Sequence, residues 1–243
     1  MILQKKYYIL IFLCLLPAVV RLFVGEWAYI PTASMYPTLL SRDWIWYEKY
    51  TYGAVVPCRW SEIPLLNLAC LIPSVWSSDQ TRDWGYRRCK AFRQPERMDV
   101  IIFRHPANRD RLLVKRVIGL PGDTLCILGG IVYINGIRTE EKGKRCFSYK
   151  EADIDFPKDK KGTWTTLNYG PLIIPKNDSD ESLNGWFVMG DARGNSVDSR
   201  FIGLVPFRNV VGKAVCVLYS PEKLGEGQKC FFRKIERNVS HWI

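Results

Sequence analysis

Beyond its first apolar segment, the chain reads as short apolar and β-branched runs cut by turn residues, with no stretch of sustained helical periodicity. That pattern restricts it to a mainly β architecture built from antiparallel strands. Residues 98–103 and 112–118 each predict a strand, and the polar stretch 104–110 between them predicts the turn that joins the two. Residues 124–128 and 131–134 flank Gly129-Gly130, whose glycines supply the positive φ that a two-residue hairpin turn needs. Asn135-Gly136 marks the next reversal, and residues 186–189 and 210–219 predict further strands.

Ahead of this part lies an apolar run over residues 7–20, which extends to Val24 if Arg21 is carried along. It is short against the roughly 20 residues that span a bilayer. Arg21 is long enough to reach the interface, and the serine segment described below begins soon afterwards, so a retained anchor is favoured over a cleaved leader. Lys5 and Lys6 place the N-terminus in the cytoplasm and everything after Val24 outside it. Residues 1–24 are therefore expected to form a cytoplasmic tip and one transmembrane helix, and residues 25–243 an extracytoplasmic domain.

The formal net charge of +11 calls for an anionic neighbour. The basic residues are dispersed, however, and the densest clusters, 87–90 and 158–161, have no nucleic-acid-binding module around them. Both clusters predict solvated loops, nucleic acid is not expected as a partner, and anionic headgroups of a lipid bilayer fit better. Of eight cysteines, Cys14 falls in the anchor, leaving an odd seven for bridges or buried thiols. None has the paired spacing of a zinc site, so neither a metal nor another cofactor is expected.

Two residues carry the chemistry. Ser34 sits in Pro31-Thr32-Ala33-Ser34-Met35-Tyr36-Pro37-Thr38-Leu39, and Lys115 in Leu113-Val114-Lys115-Arg116-Val117-Ile118-Gly119. A serine hydroxyl needs an adjacent base, and a lysine can serve only when its amine is held neutral. The chain has two histidines, His105 in the 104–110 turn and His241 near the end, and neither context suits a Ser/His arrangement. Leu112, Leu113, Val114, Val117 and Ile118 can desolvate Lys115, and strand alternation puts Arg116 toward solvent. Met35 is expected near membrane or substrate, and Pro37 stiffens the turn.

A third segment, Gly190-Asp191-Ala192-Arg193-Gly194-Asn195-Ser196-Val197-Asp198-Ser199-Arg200, completes an ordered series with the two above and the strand box at residues 99–103. In this order the boxes resemble the bacterial type I signal peptidases, membrane-anchored Ser/Lys proteases that remove signal peptides from exported proteins. The resemblance implies a signal-peptidase-type antiparallel β-sheet catalytic domain at the bacterial plasma membrane, with Ser34 as nucleophile and Lys115 as general base. It further implies an oxyanion hole from the Ser34 backbone N–H and the Thr32 hydroxyl, and Ser196 as the residue that orients the lysine. Asp198 and Arg200 match a supporting ion pair, and Asp191 a neighbour in the same box. The implied substrates are preproteins whose signal peptides carry small residues at the first and third positions before the cut.

Against that family the stretch between the serine and lysine boxes is long, so residues 53–94 are expected to be an insertion, with the apolar run 65–72 as a small subcore. Residues 139–166, polar and lysine-rich, predict a surface loop or cap. Ala192 and Gly194 replace the family's usual Asn and Asp, and Met98 replaces a Gly. Rival readings are a conjugative-pilus maturation peptidase of the same superfamily and an inactive anchored binding module. A self-cleaving repressor is disfavoured by the anchor, and β-lactamase-type chemistry by the absence of a lysine three residues after Ser34.

Overall fold

In the computed structural model of the chain, the residues described are 13, 15–64, 72, 75–77, 84–139, 164–178, 184–221 and 230–235. Among them the strands form two antiparallel sheets. The larger joins β1 (Gly25–Tyr29), β2 (Trp44–Glu48), β11 (Val210–Ser220), β3 (Val100–His105), β4 (Asn108–Gly119), β9 (Gly185–Met189) and β10 (Val205–Pro206) in that spatial order, with β12 (Cys230–Lys234) also paired to β11. The smaller has the order β7 (Ile137–Arg138), β6 (Ile131–Ile134), β5 (Thr124–Leu128), β8 (Tyr169–Ile173).

The hairpin at Gly129-Gly130 and the reversal at Asn135-Gly136 form where expected, whereas the turn expected over 104–110 is confined to residues 106 and 107, because β3 runs to His105 and β4 begins at Asn108. β5 and β6 pair Leu128 with Ile131 across Gly129 and Gly130, whose φ values are 57° and 82°. β1 and β2 were not anticipated, although Trp44-Ile45-Trp46-Tyr47-Glu48 alternates in burial as a strand with one face on the core. β4 is long because it does two jobs: its outer residues, 108–112, are exposed, while residues 115–119 are buried beneath the neighbouring elements.

Among the described residues three apolar clusters fill the interior. One, with Ile30, Met35, Leu39, Ile45, Val100 and Ile102, lies under β1, β2 and β3 and includes two residues of the serine box. A second gathers Tyr52, Ile101, Phe103, Val117, Trp186 and Val210, and a third lies between β4, β9 and the smaller sheet. Arg88, from a basic cluster expected to be solvated, is instead part-buried. Its guanidinium donates to the carbonyls of Tyr52, Gly53, Phe207 and Val210 and lies over the Phe207 ring at 4.5 Å. Satisfying four carbonyls at once outweighs the desolvation of one cation, and it fastens the 53–94 segment to the core.

The apolar run expected as an anchor begins outside the described residues. Its described part is helical, ending in the π-turn Val20–Val24, within which Arg21 Nε pairs with Glu26 at 2.8 Å. Among the described residues no helix is long and apolar enough to cross a membrane. Residues 65–71, 140–163 and 241, and the side chains of Cys14, Cys70, Cys146 and Cys230, lie outside the described set. Cys89, Cys126 and Cys216 carry free thiols.

Candidate active site

The serine box leaves β1 as a tight turn, with Tyr36 N–H donating to the Ala33 carbonyl at 3.0 Å and Leu39 N–H to the Met35 carbonyl at 2.9 Å. Met35 and Leu39 are fully buried in the first core cluster, so Met35 anchors the turn from below as well as walling the cleft above. From the other side, Ala192 N–H donates to the Ser34 carbonyl at 3.1 Å. Gly190 lets that loop approach: a Cβ there would stand 2.2 Å from Ser196 Oγ and 2.6 Å from the Ser34 carbonyl oxygen.

Lys115 comes from the buried half of β4, opposite Ile101 of β3. Its Nζ donates to Ser34 Oγ at 2.7 Å and to the Val114 carbonyl at 3.0 Å. Only 3 % of the residue is exposed. Burial lowers the ammonium from its ordinary 10.5 to about 8, with Asp198 and Asp191 opposing the shift and Arg111 assisting it. Lysine amine and serine hydroxyl thus meet where a neutral amine is accessible near physiological pH. Leu112 takes no part in this desolvation, since it is 47 % exposed on the outer half of the strand.

The residue after the lysine departs from expectation. Arg116 is fully buried, not solvent-facing. Its Nε and Nη2 bind the two oxygens of Asp191 at 2.9 and 2.7 Å, Nη1 donates to the Met98 carbonyl at 2.9 Å, and Nη2 also donates to Thr38 Oγ1 at 3.0 Å. Thr38 Oγ1 in turn donates to Asp191 at 2.5 Å. Alternation still holds; the sheet is simply covered on both faces here, and the fork geometry of arginine meets a carboxylate that matches it. Arg116 and Thr38 therefore tie the serine turn, the lysine strand and the 190–200 loop together. Both were missed as site residues, although each lies inside a singled-out box.

Asp198 and Arg200 form a second buried pair at 2.8 Å. Asp198 also accepts from Gly190 N–H at 3.0 Å and caps the short helix Ser199–Ile202, while Arg200 donates to the Arg193 carbonyl at 2.7 Å. These contacts brace the loop whose Asp191 and Asp198 act electrostatically on Lys115. The Ser196 hydroxyl, though buried, makes no hydrogen bond among the described residues, where Lys115 Nζ donates to Ser34 Oγ and the Val114 carbonyl. Thr32 Oγ1 stands beside Ser34 and donates to its Oγ at a long 3.4 Å.

Met98, in place of the family's glycine, adopts φ 69°. A left-handed methionine is unfavourable, and its N–H bond to the Val117 carbonyl at 2.8 Å and its carbonyl bond from Arg116 hold it there. His105 lies at the end of β3, where Nδ1 accepts from Ala107 N–H at 3.1 Å. A cleft of about 1080 Å³ opens over the pair, walled by Ile30, Thr32, Val114, Ser196 and, from beside the smaller sheet, Trp164. Among the described residues no group of three or more His, Cys, Asp and Glu gathers as a metal site.

Several known proteins share this arrangement of sequence. A family model described as signal peptidase, peptidase S26, matches residues 3–219. Signal peptidase I of Leptolyngbya laminosa is 30 % identical over 215 residues, covering 85 % of this chain and 75 % of that protein. Signal peptidase I of Rickettsia typhi is 30 % identical over 227 residues, covering 86 % and 77 %. The crystal structure of a signal peptidase I from Enterococcus faecalis V583 is 28 % identical, covers 51 % of this chain and 98 % of that one, and superposes with a TM-score of 0.36.

Proposed function

The chain belongs to the signal peptidase family, peptidase S26, and from that premise we propose that it cuts signal peptides from exported preproteins with Ser34 as nucleophile and Lys115 as base. It is a serine peptidase. The observation that carries the residue assignment is the 2.7 Å contact between Lys115 Nζ and Ser34 Oγ at a lysine lowered to about 8.

Neutral Lys115 takes the serine proton as Ser34 Oγ attacks the scissile carbonyl, and the ammonium then gives it to the leaving amine. The acyl-enzyme is released by water that the same amine deprotonates. The oxyanion is stabilised by the Ser34 backbone N–H and the Thr32 hydroxyl, which turns from Ser34 Oγ toward the developing charge. The Arg116–Asp191 and Asp198–Arg200 pairs hold the two walls of the site in register. Residues 7–24 anchor the enzyme in the bacterial plasma membrane, with the domain of residues 25–243 outside the cytoplasm and the segment 53–94 as an insertion in it. The substrate's extended segment, with small residues at the first and third positions before the cut, lies in the cleft alongside β1.

The test uses the full-length chain in detergent micelles with a preprotein bearing an Ala-x-Ala cleavage site. Cleavage by the wild type and none by Ser34→Ala or Lys115→Ala is the expected result. Turnover by either variant, with contaminating peptidase excluded, would remove the Ser/Lys assignment.

A further inference from the structure

The nucleophile's turn is held on three sides. Core residues Met35 and Leu39 support it from below, and Arg116 with Asp191 binds the Thr38 hydroxyl from the lysine side. The third support comes from the far end of the chain. On β12, Arg233 pairs opposite Val217 of β11 and sends its guanidinium back over the sheet, where Nη2 donates to the Thr38 carbonyl at 2.9 Å. The same nitrogen stands 3.8 Å from Asp43 Oδ2, and the side chain is 15 % exposed.

Asp43 closes the serine loop. Fully buried, it accepts from Leu40 N–H at 2.9 Å and from Ser220 Oγ at 2.5 Å, and its carbonyl accepts from Ile30 N–H at 2.9 Å. One arginine therefore contacts both the fourth residue after the nucleophile and the aspartate that ends its loop. Thr38 is gripped by its hydroxyl from β4 and by its carbonyl from β12, so its position, and through it that of Ser34, depends on two strands that are remote in sequence.

We propose that Arg233 is a positioning residue for Ser34: β12 acts as a brace that sets the distance between the serine hydroxyl and Lys115 without touching substrate. This rests on the Ser/Lys reading above. Neutralising Asp43 alone would not require a hydrogen bond to the Thr38 carbonyl, and holding β12 onto β11 alone would not require an arginine reaching past the sheet. The guanidinium does both because Nη2 donates to the carbonyl while its charge faces the carboxylate 3.8 Å away.

The test compares the full-length wild type with Arg233→Met and Arg233→Lys, well below the Tm of each, and carries Ser34→Ala as a reference. In Arg233→Met, kcat falls by about 10- to 100-fold, the range a small misplacement of reacting groups produces, while KM stays within about twofold. The pH midpoint of kcat/KM moves up toward that of an ordinary lysine, because a loosened serine turn lets water reach the amine. Arg233→Lys, which keeps one donor and the charge, recovers most of the activity. A lower Tm with kcat and midpoint unchanged makes Arg233 a structural residue and overturns the proposal. So does a rise in KM at constant kcat, or a fall in kcat with the midpoint unmoved. If Ser34→Ala were itself active, the Ser/Lys reading would fail; if it is inactive and Arg233→Met is normal, only the brace fails.

Discussion

The two sheets of this molecule handle charge in opposite ways. The strands of the smaller sheet bury Leu125, Ile127, Val132 and Ile134, and no charged side chain. The larger sheet and the loops on it bury Lys115, Arg116, Asp99, Asp43, Asp191, Asp198 and Arg200. An apolar interior needs no partner for each atom, whereas a buried charge is tolerated only where hydrogen bonds and an opposite charge meet it. Six of those seven are met by an opposite charge within 4.0 Å or less, as Arg116–Asp191, Asp198–Arg200, Lys213–Asp99 and Arg233–Asp43. Lys115 is the exception. Its hydrogen bonds go to a hydroxyl and a carbonyl, and among the described residues no carboxylate pairs with it to offset the burial that lowers its ammonium.

The contrast can be broken most directly at the dyad. Ser34→Ala and Lys115→Met should each lower the cleavage rate by at least about 10³-fold, since nucleophile and base act as one unit. Lys115→Met should nonetheless unfold at no lower urea concentration than wild type, because the buried amine is a burden on the fold. A large loss of stability in that variant would mean the lysine is structural.

The paired charges should respond in the reverse sense. Arg116→Met leaves Asp191 buried without its counter-charge and should destabilise the fold by about 3 to 5 kcal/mol. Leu125→Ala in the smaller sheet should cost about 2 to 5 kcal/mol by cavity formation, with kcat of the folded fraction unchanged. Chemical denaturation read beside steady-state kinetics separates the two. Equal kcat in both variants would mean that the buried charges serve stability alone.

Thr32→Val keeps the side-chain shape and removes the proposed oxyanion donor, so kcat should drop by about 10² to 10³. Thr32→Ser keeps the hydroxyl and should stay within about tenfold of wild type. Steady-state rates that match between these two variants would make Thr32 a packing residue.

The smallest effect is on pH dependence. Burial lowers the Lys115 ammonium to about 8, so kcat/KM should rise with pH to a midpoint near 8. The stability sign follows from the same shift. Between about 8 and 10.5 the unfolded state holds the proton that the folded state has lost, so this group makes the fold more stable as pH rises through that window. Lys115→Met should lack that rise. A rate profile with its midpoint near 10.5 would show an amine in full contact with water.

Much of this was written in local order. The runs around Gly129-Gly130 alternate with period two and are punctuated by residues that accept positive φ, so the hairpin follows from neighbours alone. The boxes around Ser34, Lys115 and Asp191 to Arg200 named the residues that meet in the cleft, because each box is contiguous and its chemistry is specific. What lay beyond reach was anything set by a surface from elsewhere in the chain. Arg116 faces a carboxylate rather than water because the 190–200 loop covers that side of β4, and Arg88 is anchored because Phe207 and the carbonyls of residues 207 and 210 lie beside it. Ser196 reaches the cleft wall but makes no hydrogen bond to Lys115 among the described residues, a detail that no spacing encodes. Residue type and near neighbours were enough for the hairpins around the glycine turns and for the proposed Ser34/Lys115 pair. Tertiary structure alone decided which charges are buried and with whom, because burial of a charge is settled by what packs over it.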